Sequence, residues 1–316
     1  MDRDRRQALL ARLAAGPPLL LDGATGTELE RRGAPAALPL WSAHALRHRP
    51  ELVARIHADY VAAGAEIVTA NTFRTQARTL GRAGLDAQGA RELCAAAISL
   101  ARGAADAAPD GREVWVAGSM PPLEDCYRPD LVPEAAALAR EHAEHARHLA
   151  EGGADLLLVE TMNTIREALA ATRAAQSTGL PVWVSFACDG AARLLSGEPL
   201  AEALAAAGAL APELVGVNCL PPAAVETSLR ILAERGRPFG VYANLGAPGG
   251  GGAKRRHECA PAAFAAHALR WCAAGARAIG GCCGTQPDHI RAIREALARV
   301  QPSASGASAT HGLGGE

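Results

Sequence analysis

Leu156-Leu157-Leu158-Val159-Glu160-Thr161 reads as four apolar residues running into a carboxylate and a hydroxyl. So short and continuous an apolar run fits a parallel strand buried on both faces, because a strand with one wet face alternates instead. The same design recurs on either side. Upstream lie Leu19-Leu20-Leu21-Asp22-Gly23-Ala24-Thr25, Glu66-Ile67-Val68-Thr69-Ala70-Asn71-Thr72-Phe73 and Val114-Trp115-Val116-Ala117-Gly118-Ser119-Met120. Downstream lie Val182-Trp183-Val184-Ser185-Phe186-Ala187-Cys188, Leu214-Val215-Gly216-Val217-Asn218-Cys219, Phe239-Gly240-Val241-Tyr242-Ala243-Asn244 and Ala278-Ile279-Gly280-Gly281-Cys282-Cys283.

Alanine-, leucine- and arginine-rich stretches with helical spacing separate these runs: Pro50–Ala63, Gly89–Ala105, Pro133–Glu151, Ile165–Thr178 and Pro261–Ala274, after an opening helix over about residues 3–15. Gly64, Gly152-Gly153, Gly179 and Gly275 stand where a helix must stop before the next strand. Eight strands alternating with helices over roughly 300 residues predict an α/β fold, a single (β/α)8 TIM barrel. A doubly wound sheet is the competing fold. It places a glycine-rich phosphate turn after its first strand, and Asp22-Gly23-Ala24-Thr25-Gly26 lacks that spacing. The barrel is expected to span residues 1–300, with a glycine-rich mobile loop at Gly246–Pro261 over its mouth. Residues 301–316 are small and polar and read as a disordered tail.

The chain is 49% hydrophobic with a formal net charge of −1, enough for a large core and without a basic excess for nucleic acid. Lys254 is its one lysine. Arg12 interrupts the first apolar stretch, so no signal peptide is expected, and no run reaches a membrane span. The expected compartment is the cytoplasm, where eight cysteines are reduced thiols or metal ligands rather than a disulfide framework.

In such a barrel the active site lies at the carboxyl ends of the strands. Cys282 and Cys283 end the eighth strand and Cys219 the sixth. Adjacent cysteines bridge one another poorly, but flanking glycines let both turn toward one ion. Three thiolates leave the fourth tetrahedral position of a zinc ion open, as a catalytic site requires. Cys188, which ends the fifth strand, is a weaker competitor. Cys94, Cys126, Cys259 and Cys272 fall in helices or loops. The plain alternative is a small buried Cys219 and an incidental pair.

Gly216-Val217-Asn218-Cys219 followed by Gly280-Gly281-Cys282-Cys283-Gly284-Thr285 resembles the homocysteine S-methyltransferase family. Asp22-Gly23-Ala24-Thr25-Gly26-Thr27-Glu28-Leu29, Ala70-Asn71-Thr72-Phe73 and Glu160-Thr161-Met162 also resemble that family's pattern, so the likeness covers about residues 16–298. It implies a zinc barrel that methylates homocysteine to methionine. A thiol is mostly protonated at neutral pH while the thiolate is the nucleophile, so a metal that holds the sulfur ionised fits the chemistry. Transfer is then an in-line displacement that depends on placement.

Glu160 and Asp22 are candidates for the substrate ammonium, against readings as a solvated helix-start carboxylate and a turn cap. The resemblance directs the carboxylate to backbone amides around Gly23 and Thr72, with Arg74 as a further contact. Asn71 and Asn218 read as loop-fixing residues, and Asn244 as one that faces the metal or the donor. Trp41, Phe73 and Tyr127 are candidates for a donor pocket. The donor is read as a sulfonium, S-methylmethionine ahead of S-adenosylmethionine. Aromatics make up 3% of the chain and Thr161 stands where betaine-dependent members carry tyrosine, which argues against betaine. The stretch Gly118–Tyr127 departs from the glycine-proline-tyrosine pattern of the S-methylmethionine type. No cobalamin or folate extension is expected after residue 300. The alternative function is a homocysteine-activating module that receives methyl from a separate corrinoid protein. His142, His145 and His148 are read as exposed positions on an outer helix, not as a metal site.

Overall fold

The computed structural model describes residues 3–35, 37–245 and 259–300. Eight strands are formed: β1 Leu19–Leu20, β2 Ile67–Ala70, β3 Trp115–Met120, β4 Leu156–Met162, β5 Val182–Phe186, β6 Leu214–Asn218, β7 Phe239–Ala243 and β8 Ala276–Gly281. All pair in parallel in the order β1-β8-β7-β6-β5-β4-β3-β2. A parallel bridge from Leu21 to Ile67 joins the first strand to the second. Asp22 N donates to Ile67 O at 3.0 Å and Glu66 N to Leu20 O at 2.7 Å, closing the ring. The predicted (β/α)8 barrel is what the chain forms.

The alternation hidden inside the apolar runs separates two cores. Leu19, Leu21, Ile67, Trp115, Ala117, Leu156, Leu158, Trp183, Leu214, Tyr242 and Ala278 fill the barrel. Their neighbours Leu20, Val68, Val116, Leu157, Val159, Val184, Val215, Val217, Val241 and Ile279 pack outward against the helices. The opening helix Arg3–Ala14 belongs to the inner set, because Leu9 and Leu13 close the amino end of the barrel. Arg5 fixes that plug, with Nε 2.7 Å from Asp155 Oδ1.

The predicted helices appear as Pro50–Ala63, Ala87–Asp106, Ala135–Glu151, Ile165–Gln176 and Pro261–Ala273. Gly64, Gly153, Gly179 and Gly275 take positive φ at their ends, whereas Gly152 stays right-handed. Short helices at Gly26–Arg31, Ala43–His48 and Ala77–Gly81 were not foreseen and lie in the loops after β1 and β2. The loop expected at Gly246–Pro261 lies, up to residue 258, outside the described residues, as does the expected tail at 301–316.

The histidine expectation is corrected. His142, His145 and His148 are buried, at 0%, 2% and 4% exposure. They share the inward face of the helix Ala135–Glu151 with Leu138, Ala146 and Leu149. His142 Nε2 meets Glu167 Oε1 at 3.2 Å and His145 Nε2 meets Ser119 O at 3.1 Å. Burial pushes His145 down to about 3, so it is neutral and its Nε2–H donates to Ser119. Among the described residues no helix is long and apolar enough to cross a membrane.

Candidate metal and substrate site

Cys219, Cys282 and Cys283 converge at the carboxyl ends of β6 and β8, their sulfur atoms all within 4.8 Å of one another. Three thiolates at tetrahedral zinc–sulfur distances stand about 3.8 Å apart, so the set fits such an ion with little movement. The three thiols are hydrogen-bonded to one another. The hydrogen bonds of Cys282, and then of Cys283, hold Cys219 well below the ordinary thiol range. Cys282 and Cys283 are pushed well above it, first by their bond to Cys219. Bringing three thiols this close favours ionisation within the group, the chemistry a metal-binding thiolate set requires. Cys188 does not join it: it is buried beyond β5, where its residue bridges to Leu194.

The backbone explains the convergence. Cys219 leaves β6 at φ +59°, a left-handed conformation that costs a β-carbon residue about 1–3 kcal/mol. Thr161 takes the same φ inside β4, where the pairing with β5 shifts register between Val159 and Met162. Asn218 ties the two together, accepting from Thr161 N at 2.9 Å and donating to Thr161 Oγ1 at 2.8 Å. Asn244 Nδ2 donates to Cys219 O at 3.3 Å. Asn218 is thus the loop-fixing residue expected, and Asn244 supports the Cys219 loop. Asn71 also fixes a loop, donating to Ser42 O at 2.9 Å.

At β8, Cys282 N donates to Ala243 O and Cys283 O accepts from Leu245 N, each at 2.7 Å. The glycines are sterically required. A β-carbon on Gly281 would lie 2.2 Å from Thr285 Oγ1, and Gly284 holds φ +82° against Leu245. The loop after β1 docks on this turn: Ala24 N donates to Thr285 Oγ1 at 3.2 Å, and Gly284 N to Thr27 Oγ1 at 2.9 Å. Tyr60, which sequence reasoning missed, places its hydroxyl 3.0 Å from Ala24 O and 3.1 Å from Thr285 O.

Two buried carboxyls complete the site. Glu160 takes a 2.5 Å hydrogen bond from Ser119 Oγ. Burial pushes it up to about 7, with the Cys219 charge adding to the rise. Asp22 accepts from Thr69 N at 2.8 Å and Thr69 Oγ1 at 3.0 Å, yet burial lifts it to about 8, and the Glu160 charge contributes. Burial at both acids, and the Glu160 charge at Asp22, disfavour the ionised forms, which a cation placed beside them would favour. Inside the barrel the Tyr242 hydroxyl lies beside Glu160 and Ser185 without a hydrogen bond of ordinary geometry.

The other sequence candidates divide. Thr72 is wholly buried and committed to the protein: its N–H meets Ala70 O at 2.6 Å, and its hydroxyl accepts from Ser119 N at 2.9 Å. Its amide faces a ligand only by breaking that turn. Gly23 is half-buried and close under Tyr60 and Thr285, where a β-carbon would clash at 2.6–2.8 Å. Trp41 and Phe73 meet edge to face, ring centres 6.2 Å apart, and Arg74 stacks 5.6 Å over Phe73. Tyr127 stands with the metal ligands instead, its hydroxyl 3.1 Å from Cys219 Sγ. Ser119 was missed, since its place beside Glu160 depends on the pairing of β3 with β4.

A family model described as homocysteine S-methyltransferase matches residues 19–297. Homocysteine S-methyltransferase of Escherichia coli is 35% identical over 295 residues, covering 87% of this chain and 94% of that protein. Methionine synthase of Mycobacterium leprae is 33% identical over 318 residues, but only 25% of its length is matched. The crystal structure of the E. coli homocysteine methyltransferase MmuM in its metallated form superposes with a TM-score of 0.77 at 30% identity, covering 92% of this chain and 99% of that one.

Proposed function

The chain belongs to the homocysteine S-methyltransferase family, and on that footing we propose that it transfers a methyl group from a sulfonium donor to homocysteine, giving methionine. The observation that carries the reading is the group of three thiols at the strand ends, beside two buried carboxyls. We propose zinc as the metal, held by Cys219, Cys282 and Cys283. Bound there, zinc supplies a Lewis acid that keeps a thiol substrate ionised at neutral pH.

The chain's own residues do the rest. Glu160 and Asp22 take the substrate ammonium, which relieves the charge that burial otherwise forbids them. Ser119 aims Glu160 by donating to it. Amides near Gly23 and in the turn after β2 receive the carboxylate, the Thr72 N–H being already occupied. Fixing both ends of the amino acid sets the sulfur in line with the methyl carbon, where effective molarity can be large. S-methylmethionine is the favoured donor and S-adenosylmethionine the next. Either could rest against the faces of Trp41 and Tyr127, which attract a sulfonium cation, while Arg74, stacked on Phe73, is left for the substrate carboxylate. The compartment we propose is the reducing cytoplasm, in keeping with cysteines that are all free among the described residues. Methyl supply by a corrinoid protein is not favoured, because nearly the whole length of a stand-alone methyltransferase is matched.

The test is methionine formation from homocysteine with S-methylmethionine as sole donor, on reduced, zinc-loaded protein. Turnover is expected. Activity that appears only with S-adenosylmethionine changes the donor, and activity that requires a corrinoid partner overturns the sulfonium reading.

A further inference from the structure

The loop after β3 brings a hydroxyl to the metal ligands. Tyr127 Oη stands 3.1 Å from Cys219 Sγ, and among the described residues Cys219 is the one thiol of the three with a hydroxyl at that distance. Asn244 Nδ2 lies farther off, 4.0 Å from the same sulfur. While Cys219 is a thiol either atom can donate. A sulfur bound to a metal carries no proton, so in the loaded site the hydrogen bond has only one direction, from tyrosine to thiolate.

The ring is placed by its loop and not by the metal. Tyr127 N donates to Asp125 Oδ1 at 2.9 Å, and Cys126 O accepts from Asn163 Nδ2 at 2.9 Å. Leu123 N donates to Glu167 Oε1 at 2.8 Å, and Gln76 Nε2 to Pro122 O at 3.2 Å. These bonds anchor the loop to the neighbouring segments after β2 and β4 and to the helix Ile165–Gln176. The hydroxyl is therefore presented to the sulfur in advance.

We propose that Tyr127 is a positioning residue of the metal centre, its hydroxyl donating to the Cys219 thiolate so that this ligand is fixed in place and carries less charge than Cys282 or Cys283. A hydrogen bond to an ionised acceptor is among the stronger ones, and partners of this kind typically govern 10–100-fold in metal affinity. The three sulfurs are then chemically unequal, and the ion is a stronger acid toward a ligand in its open position than three unmodified thiolates would leave it.

The inference rests on the metal reading above, so its test begins with wild-type protein taking up cobalt(II) in place of zinc. Tyr127→Phe keeps the ring and removes only the hydroxyl. Its zinc affinity, read by competition with a chromophoric chelator, is expected to fall about tenfold or more. The thiolate-to-cobalt charge-transfer band is expected to move to lower energy, because a sulfur lone pair without its hydrogen bond is easier to oxidise. Replacing the three tyrosines with 3-fluorotyrosine strengthens the donor, and the band is expected to move the opposite way in wild type and to stay put in Tyr127→Phe. A loaded wild type whose affinity and band match those of Tyr127→Phe overturns this inference alone. Wild type that takes up no cobalt overturns it together with the metal reading.

Discussion

Glu160 and Asp22 are acids that burial holds protonated well above the usual carboxylate range. Their sign follows from linkage. A carboxyl raised in the folded state contributes stability below its unfolded value, about 4, and loses it as pH rises through 7 to 8. An ammonium ligand reverses that loss, since it pairs with the ionised form. Binding of methionine, which has the ammonium but no thiol to titrate, is therefore expected to strengthen as pH rises through about 7. Glu160→Gln is expected to flatten that profile in calorimetric titrations and to raise the homocysteine KM by about 10–100-fold, the range for a lost hydrogen bond to a charge. Replacing Cys219, Cys282 or Cys283 by serine is expected to remove bound zinc, measured by atomic emission, while far-UV circular dichroism stays that of the wild type. His57 works in the other direction. It is wholly buried, its ring nitrogens have no hydrogen-bond partner among the described residues, and burial lowers it to about 4. A lowered histidine contributes stability above its unfolded value near 6.5 and loses it as pH falls toward 4, at up to about 1.4 kcal/mol per unit. His57→Leu is expected to flatten the acid limb of stability in urea unfolding followed between pH 7 and pH 4.

At the scale of elements, strands were legible because a parallel strand buried on both faces has to be apolar without interruption, as Leu156–Val159 is. Their ends were legible because the next residues are polar and the preceding helices stop at glycine. The same rule located Cys219, Cys282 and Cys283, since only residues just past a strand reach the mouth. What was not legible depends on neighbours that the order of residues does not reveal. His142 and His145 looked like parts of a charged outer helix. They fall in register with Leu138 and Leu149, and that stripe was the signal available. Ser119 reads as an ordinary strand residue until β3 lies beside β4. Asn218 was expected to fix a loop, but not to join two left-handed residues on different strands. That link sets a further expectation. Asn218→Ala leaves Thr161 N without its partner in a buried place, a loss of about 1–3 kcal/mol. It is expected to lower the thermal midpoint and weaken zinc binding together, because Thr161 and Cys219 relax from the same strained geometry.

For the whole molecule, the two cores have separate duties. The outer one joins helices to strands, and the inner one, plugged by Leu9 and Leu13, stiffens the barrel on which the site stands. Leu9→Ala opens a cavity at the end opposite the thiols and is expected to cost about 2–5 kcal/mol in denaturant unfolding while leaving the homocysteine KM unchanged. The closure between β1 and β8 has a consequence in time. Ala24 meets Thr285 across 261 positions of sequence, and the cysteine turn is seated by that contact. A ribosome adding about 5–20 residues per second needs roughly 13–52 s to pass from one partner to the other. For that interval the first strand has an open edge, and once Cys219 has been made it waits alone until Cys282 and Cys283 follow 63 and 64 residues later. On the proposed reading, a nascent chain stalled before β8 lacks two of the three thiols that would hold the ion.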